Sequence, residues 1–512
     1  MGVRHRKKVT SENVRLMLEA ENSDSNDNAN DSQYEDSIDD GEEDDEISEE
    51  NYSGRKQEED DNEDEDEVDE GDDDEDEEEA NEEDDYEDED EANEEGGDEE
   101  EEGNEEEVKE EEDDDPVGKY TSKNGLEDWF IVSRPITRAR SHNILREKPG
   151  PTHYANRECN SVLSSFELFF RLPLLEIICK WSNTEAKTVH SEDWKEVDVT
   201  EMKKFIGTLI LIGVYKSKNE DVSLLWSHEH GKEIFNRIMS RKRFHDILIF
   251  LRFDDAVSRR QKRSLDKLQP IRECFEMWNS TLKHAFSPGW CVTVDEQLVN
   301  FKGRCPFRQY IPSKPGKYGI KLWILCDVET SYIWNTEVYT GKAKNGPRET
   351  RQGERVVASL VTELEKSGRN ITCDNFFTSL DLARNLLKKK LTIVGTIRKN
   401  KGELPVEFTN SKKRTPYTTL FGFKKEAMIL SYCPKKGKVV TLLSTMHSQP
   451  DIDNSTKELK PEVIRCYNST KFGVDTMDQM VRCYSIKRKT RRWLLVFFYN
   501  MIDISSMNAF II

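Results

Sequence analysis

Three short segments of this sequence each place an aspartate where a regular element should end or begin beside apolar residues: VTVDEQ, ITCDN and GVDTMDQM. In the first two, an apolar alternating run predicts a strand that enters a core. Asp295 or Asp374 then emerges at its carboxyl end, where α/β sheets assemble ligand sites. In the third, Asp475 and Asp478 are three apart at the start of a predicted helix and therefore share a face. Any one of these aspartates alone reads as a cap or an exposed turn residue; together they point to a site. Gathered carboxylates raise one another's pKa values unless a cation neutralises them. Mg2+ (or Mn2+) is the natural neutraliser, because it takes hard oxygen ligands and leaves positions for water and phosphate oxygens. A pair of such ions stabilises both the attacking and the leaving oxygen of a phosphoryl transfer. Three acids suffice for that chemistry.

The elements that must position these acids follow from periodicity. Strands are predicted at 291–294, 320–326, 332–339, 371–373 and 391–397. Between the later ones, Val356, Val357, Leu360, Val361 and Leu364 share one helical face, and Leu380, Leu382, Leu386 and Leu387 share another. Alternating helix and strand predict an α/β layer. Upstream, apolar residues from Phe166 to about Asp255 recur at helical spacing, while residues 399–464 read as an insertion with brief strand-like pieces. The expected organisation is an acidic tail over 1–115, a basic linker or arm over 116–150 and a helical region over 151–289. A core in two parts, 290–398 and 465–512, is interrupted by the insertion. His228, Glu229 and His230 have no further His or Cys at ligand spacing and read as a polar loop, not a zinc site.

Charge divides the chain more sharply than periodicity does. Residues 1–115 hold 61 acidic and 8 basic side chains, a net −53 within a whole-chain −29, so the remainder carries +24. From about Ser23 onward that segment cannot bury enough apolar surface to offset chain entropy and reads as disordered. Three roles are open to it: a solvating tail, a binder of basic proteins, or a polyanion that competes with DNA phosphates for the chain's own basic core. All ten cysteines lie after the tail as single residues, a pattern that suits reduced thiols. The longest apolar run, Trp493 to Ile502, falls short of the roughly 20 residues of a membrane helix, so no bilayer span is expected. The opening Arg4, Arg6, Lys7 and Lys8 form a short basic segment of the nuclear-import type, and a nuclear location is expected.

The run from Val292 to Lys321, VTVDEQLVNFKGRCPFRQYIPSKPGKYGIK, closely resembles the signature of piggyBac transposases. The resemblance continues in order through RNITCDNFFTSLDLARNLL, LTIVGTIRKNKGELP, YNSTKFGVDTMDQM and RKTRRW, with EKPGPT and MSRKRFHDILIFLRFDD upstream. It covers roughly residues 129–512. By resemblance the fold is an RNase H-like catalytic core with an insertion before its last catalytic helix, flanked by helical dimerisation and DNA-binding regions. The family's catalytic, metal-binding aspartates map onto Asp295, Asp374 and Asp475, and a further important acid maps onto Asp478. The resemblance implies nicking at transposon ends, hairpin formation by the freed 3′-hydroxyl, and joining into TTAA targets by a homodimer, without a protein-linked intermediate.

Position beside that site makes Arg304, Arg308, Lys314, Lys317 and Lys321 candidates for contact with double-stranded DNA. Lys489, Arg491, Arg492 and Trp493, with Lys487 and Arg488, form a second group expected to border the same groove. Two departures accompany the resemblance. Phe472 stands where the family pattern has glycine, and the sequence stops at Ile512, where family members commonly continue into a Cys-rich zinc-binding module. Three function classes are therefore open: an active transposase core, a domesticated DNA-binding or chromatin protein without transposition activity, and an acidic interaction protein that leaves the ordered motifs unexplained.

Overall fold

Valine and isoleucine alternating with polar residues drive Cys291–Asn300 and Tyr318–Asp327 into a long antiparallel pair, with Val292 opposite Asp327 and Asn300 opposite Gly319. The computed structural model describes residues 118–133, 144–145, 147–190, 194–256, 259, 266–312, 314–341 and 349–512, all within one compact unit. The acidic segment 1–115 lies outside the described residues, as do Arg134, Arg138, Arg140 and Arg146 of the expected arm.

The described strands, in chain order, are β1 (Lys119–Thr121), β2 (Asp128–Phe130), β3 (Gly150–Pro151), β4 (Phe286–Ser287), β5 (Cys291–Asn300), β6 (Gln309–Tyr310) and β7 (Tyr318–Asp327). They continue with β8 (Ile333–Val338), β9 (Asn370–Cys373), β10 (Thr392–Thr396), β11 (Thr419–Phe423), β12 (Met428–Lys435) and β13 (Lys438–Ser444). Eleven of them form one mixed sheet in the order β1-β2-β11-β12-β13-β10-β9-β5-β7-β6, with β8 also on β7. β9 runs parallel to both β5 and β10, and the other pairings are antiparallel. The helices that position the site are α1 (Leu172–His190), α2 (Val199–Val214), α3 (Arg241–Phe250), α4 (Arg272–Ala285), α5 (Gln352–Leu360), α6 (Leu380–Lys388), α7 (Glu462–Thr470), α8 (Gly473–Cys483) and α9 (Trp493–Ile511).

A parallel pair needs a crossover, and α6 supplies the one from β9 to β10. Ser379 caps it by accepting from the Leu382 N–H at 3.1 Å, and Leu380, Leu382, Ala383 and Leu386 face the sheet. Two segments differ from the sequence reading. The expected linker contributes β1 and β2 to the sheet edge, where Trp129 is fully buried and its Nε1 donates to the Glu403 carbonyl at 2.9 Å. Residues 419–444 of the expected insertion extend the same sheet through the β10–β13 pair. In both cases tertiary pairing supplied the partner that local pattern could not show.

Helix α9 is apolar around its whole circumference, so it must be enclosed. Leu495, Val496, Phe497, Phe498, Tyr499, Met501, Ile502 and Ile504 are all buried. Phe498 lies 6.1 Å from Phe170 and 5.3 Å from Phe253, which joins the upstream helices to the sheet in one core. Among the described residues α9 alone is long and apolar enough to cross a membrane, and most of it is packed inside the protein. Its few polar side chains act as latches. Ser505 accepts from Trp278 Nε1 at 2.9 Å, and Asn508 bonds both the N–H and the carbonyl of Ile333. Asp503 accepts from Ser485 Oγ at 2.6 Å and from the Ile486 N–H at 2.9 Å, which secures the segment between α8 and α9. That segment lies close on α2, where a Cβ on Gly213 would meet the Tyr484 carbonyl at 2.3 Å.

Burial pushes the Asp503 carboxyl up to about 7 despite these hydrogen bonds. The folded protein therefore holds a proton that the unfolded chain releases near pH 4, and stability falls as pH rises between about 4 and 7, by at most about 1.4 kcal/mol per unit. Asp503→Asn removes this dependence. In urea unfolding at several pH values, the variant should gain on the wild type as pH rises through that window; a pH-independent difference would contradict the assignment.

Candidate metal and nucleic-acid site

The register of β5 against β9 places the first two acids. Thr293 pairs with Thr372 and Val294 with Cys373, so Asp295 on β5 and Asp374, the residue just past the end of β9, follow the last pair of the parallel ladder. β9 ends there while β5 continues to Asn300 against β7. The third acid arrives on α8, whose entry is secured to both strands. Thr470, at the end of α7, accepts from Thr293 Oγ1 at 2.5 Å through its carbonyl and from Thr372 Oγ1 at 2.8 Å through its hydroxyl. A cavity of about 160 Å³ results, lined by Asp295, Asp374 and Asp475 together with Tyr467, Lys471 and Phe472.

Burial pushes the Asp295 carboxyl up to about 7, with the charges of Glu296 and Asp374 adding to it. Asp374 is also raised, first by burial and then by Glu296, although its Oδ1 accepts from the Phe376 N–H at 2.9 Å. Three carboxylates on one wall, whose like charge Lys314, Lys321 and Arg398 offset only in part, fit a hard divalent cation. Among the described residues, however, no three His, Cys, Asp or Glu side chains converge closely enough to form a ligand set. The three aspartates share the cavity wall without closing on a common point. Asp478, predicted beside them, does not line the cavity; its Oδ1 accepts from Gln297 Nε2 at 2.7 Å, and burial raises its pKa. Phe472 has φ −86° and ψ 5°, accessible to any residue, so the turn before α8 does not require the glycine of the family pattern.

The predicted cationic residues separate into two sets. Arg304, Arg308, Lys317, Lys489 and Arg491 are exposed. Arg304 and Arg308 frame an open cleft of about 410 Å³ with Trp493, whose half-buried ring packs on Phe307 at 5.2 Å. Lys314 and Lys321 are half-buried and flank Glu296 at 3.8 and 3.9 Å, and Lys321 also sits 3.8 Å over the Trp323 ring. Arg492 is a correction to the sequence reading. It donates to the Leu248 carbonyl at 2.9 Å, to Ile249 at 3.0 Å and also to Leu251, and so caps the end of α3. Arg488 likewise donates to the Ser217 and Glu220 carbonyls. A run of basic residues beside a tryptophan carries no sign of which members turn inward. Sequence reasoning also passed over Glu296, Gln297 and Lys471, although all three lie inside the quoted motifs.

A family model described as Transposase IS4 matches residues 163–510. A piggyBac transposase solved by cryo-EM in a synaptic complex with hairpin DNA superimposes with a TM-score of 0.67 at 38% identity, over 71% of this chain and 77% of that one. The chain belongs to the piggyBac transposase family. Human piggyBac transposable element-derived protein 3 is 26% identical over 353 residues, 64% of this chain and 57% of its own length. Human piggyBac transposable element-derived protein 5 is 24% identical over 405 residues, 72% of this chain and 75% of its own length. The chain thus spans little more than half of the first of these relatives. Its mixed sheet with surrounding helices is the fold of the piggyBac structure.

The two roles of neighbouring arginines are separable. Arg492→Ala strips the Leu248 carbonyl of its side-chain donor and leaves the Ile249 and Leu251 carbonyls to Arg252 alone, and should lower the unfolding free energy by about 1 kcal/mol, whereas exposed Arg491→Ala should change it by less than about 0.5 kcal/mol. Denaturant unfolding of both variants measures the contrast, and equal effects would refute the capping role.

Proposed function

We propose that the chain is the core of a DNA transposase that cuts and joins DNA strands at the Asp295, Asp374 and Asp475 cavity. The observation that carries this reading is that three acids, from positions 295, 374 and 475, line one cavity. In this reading the sheet and its last helices form an RNase H-like catalytic core, and the three carboxylates hold Mg2+ or Mn2+. Such an ion, when bound, stabilises charge on the attacking and leaving oxygens of phosphoryl transfer. The chain's own part is to orient. β5 and β9 fix two carboxylates in register, and α8 brings the third. The exposed Arg304, Arg308, Lys317, Lys489 and Arg491 hold the phosphate backbone of double-stranded DNA without reading its sequence. Paired transposon ends, a TTAA target, a homodimer and a nuclear location belong to the same proposal. The acidic segment 1–115 then competes with DNA for those exposed cations, or engages other basic proteins.

The test is strand nicking and joining on DNA with candidate ends flanked by TTAA, in Mg2+ or Mn2+, comparing the chain with Asp374→Asn. Metal-dependent nicking that falls at least about a thousandfold in the variant supports the reading, since loss of a ligand removes several kcal/mol of charge stabilisation. If neither protein cuts and both bind DNA equally, the chain is a DNA-binding descendant that kept the core for its shape and charge.

A further inference from the structure

Three polar side chains from three separate elements, two of them buried and the third, Asp478, partly so, form one directed hydrogen-bond chain. Asn500 of α9 donates through Nδ2 to Gln297 Oε1 at 3.1 Å, and Gln297 of β5 donates through Nε2 to Asp478 Oδ1 of α8 at 2.7 Å. Gln297 is 4% exposed and Asn500 7%, while the other Asp478 oxygen lies 3.4 Å from Arg482. The direction of the chain is fixed by chemistry. An ionised carboxylate only accepts, so Gln297 must turn its amide N–H groups toward Asp478 and present its carbonyl to a donor, which Asn500 supplies.

The placement ties this chain to the cavity. Gln297 is two residues after Asp295 on β5 and so shares its face, and Asp478 is three after Asp475 on α8. The Gln297–Asp478 bond is therefore the direct polar link between the strand that bears the first acid and the helix that bears the third. Asn500 anchors the link to the most deeply buried helix of the molecule.

We propose that Gln297 and Asn500 are positioning residues that set the rotation of α8 about its axis, so that Asp475 can close with Asp295 and Asp374 on a divalent cation. Asp478 is the anchor of that chain and not a further ligand. This rests on the metal-dependent reading above. It explains why Asp478 lies off the cavity wall although its motif places it beside Asp475, and why α9 keeps a buried asparagine where it meets β5.

The experiment reverses the polarity of the chain without changing its shape. In Asn500→Asp, studied above the pH range in which burial keeps a carboxyl of this helix such as Asp503 protonated, the ionised carboxylate can only accept, so Gln297 must rotate its amide and turn its carbonyl against Asp478, which breaks the link. In the double variant Asn500→Asp, Asp478→Asn the amide at 478 can donate to Gln297, which donates to the carboxylate at 500, and the chain is rebuilt in the opposite direction. Mn2+ binding to the full chain is measured by calorimetry, with the metal-free melting temperature and DNA affinity measured in parallel. Asn500→Asp should weaken Mn2+ binding about tenfold or more, the usual size of an outer-shell effect on a metal site. DNA affinity should stay within about twofold, because the phosphate contacts are elsewhere, and the double variant should recover most of the Mn2+ affinity. Unchanged Mn2+ affinity in Asn500→Asp, whatever its melting temperature, would make the chain merely structural and overturn the proposal. A double variant as impaired as the single would overturn it too, by showing that the carboxylate at 478 acts directly. A wild type that binds no Mn2+ sinks the cleavage reading and this one together. A wild type whose Mn2+ binding depends on Asp374 but not on Asn500 sinks this one alone.

Discussion

Two partly buried carboxylates held close together at the end of a parallel ladder are costly, and much of this molecule is arranged around that cost. The β5–β9 register brings Asp295 and Asp374 close because parallel pairing aligns the residues just before them, Val294 and Cys373. Burial and the nearby Glu296 raise both carboxyls. Lys314 and Lys321, on either side of Glu296, offset only part of that charge from the neighbouring loop and strand. Such strain persists only where the surrounding structure over-determines it, and it is useful where a cation is to be taken up.

The over-determination comes from elements far away in sequence. Thr470 ties the turn before α8 to both acid-bearing strands, while α9 supplies the apolar mass on which upstream helices and sheet converge. Every buried polar group of α9 named above has a partner on a different element: Trp278 on α4, Ile333 on β8, Gln297 on β5, and the segment at Ser485. A helix with this many directed bonds has one allowed rotation and one allowed depth. The apolar surface supplies stability, and the polar latches supply alignment.

Much of the site was legible before any coordinates. Strand alternation ended at Asp374, helical spacing put Asp475 at a helix start, and the ordered motifs named the family, whereas Asp295, expected at the end of a strand, sits midway along β5. What stayed hidden depended on partners distant in the chain. β5 runs to Asn300 because Asp295, Glu296 and Gln297 pair with β7, although three polar residues in a row look like a loop. Gln297 bonds across 181 residues to Asp478 and across 203 to Asn500, beyond the reach of any local pattern. Trp129 looked like part of an arm because its cover comes from β11 and the Glu403 carbonyl. Arg492 looked like a phosphate contact because basic composition cannot show that α3 ends beneath its guanidinium.

On this proposal Asp295, Asp374 and Asp475 close on one divalent cation when DNA is present. Anomalous diffraction at the manganese edge, from crystals grown with Mn2+ and a DNA end, tests it most directly. A manganese peak between Asp295 and Asp374, with an Asp475 oxygen drawn within about 2.5 Å, is the predicted result. A peak coordinated elsewhere, or DNA bound over the cavity with no manganese among the three carboxylates, would contradict it.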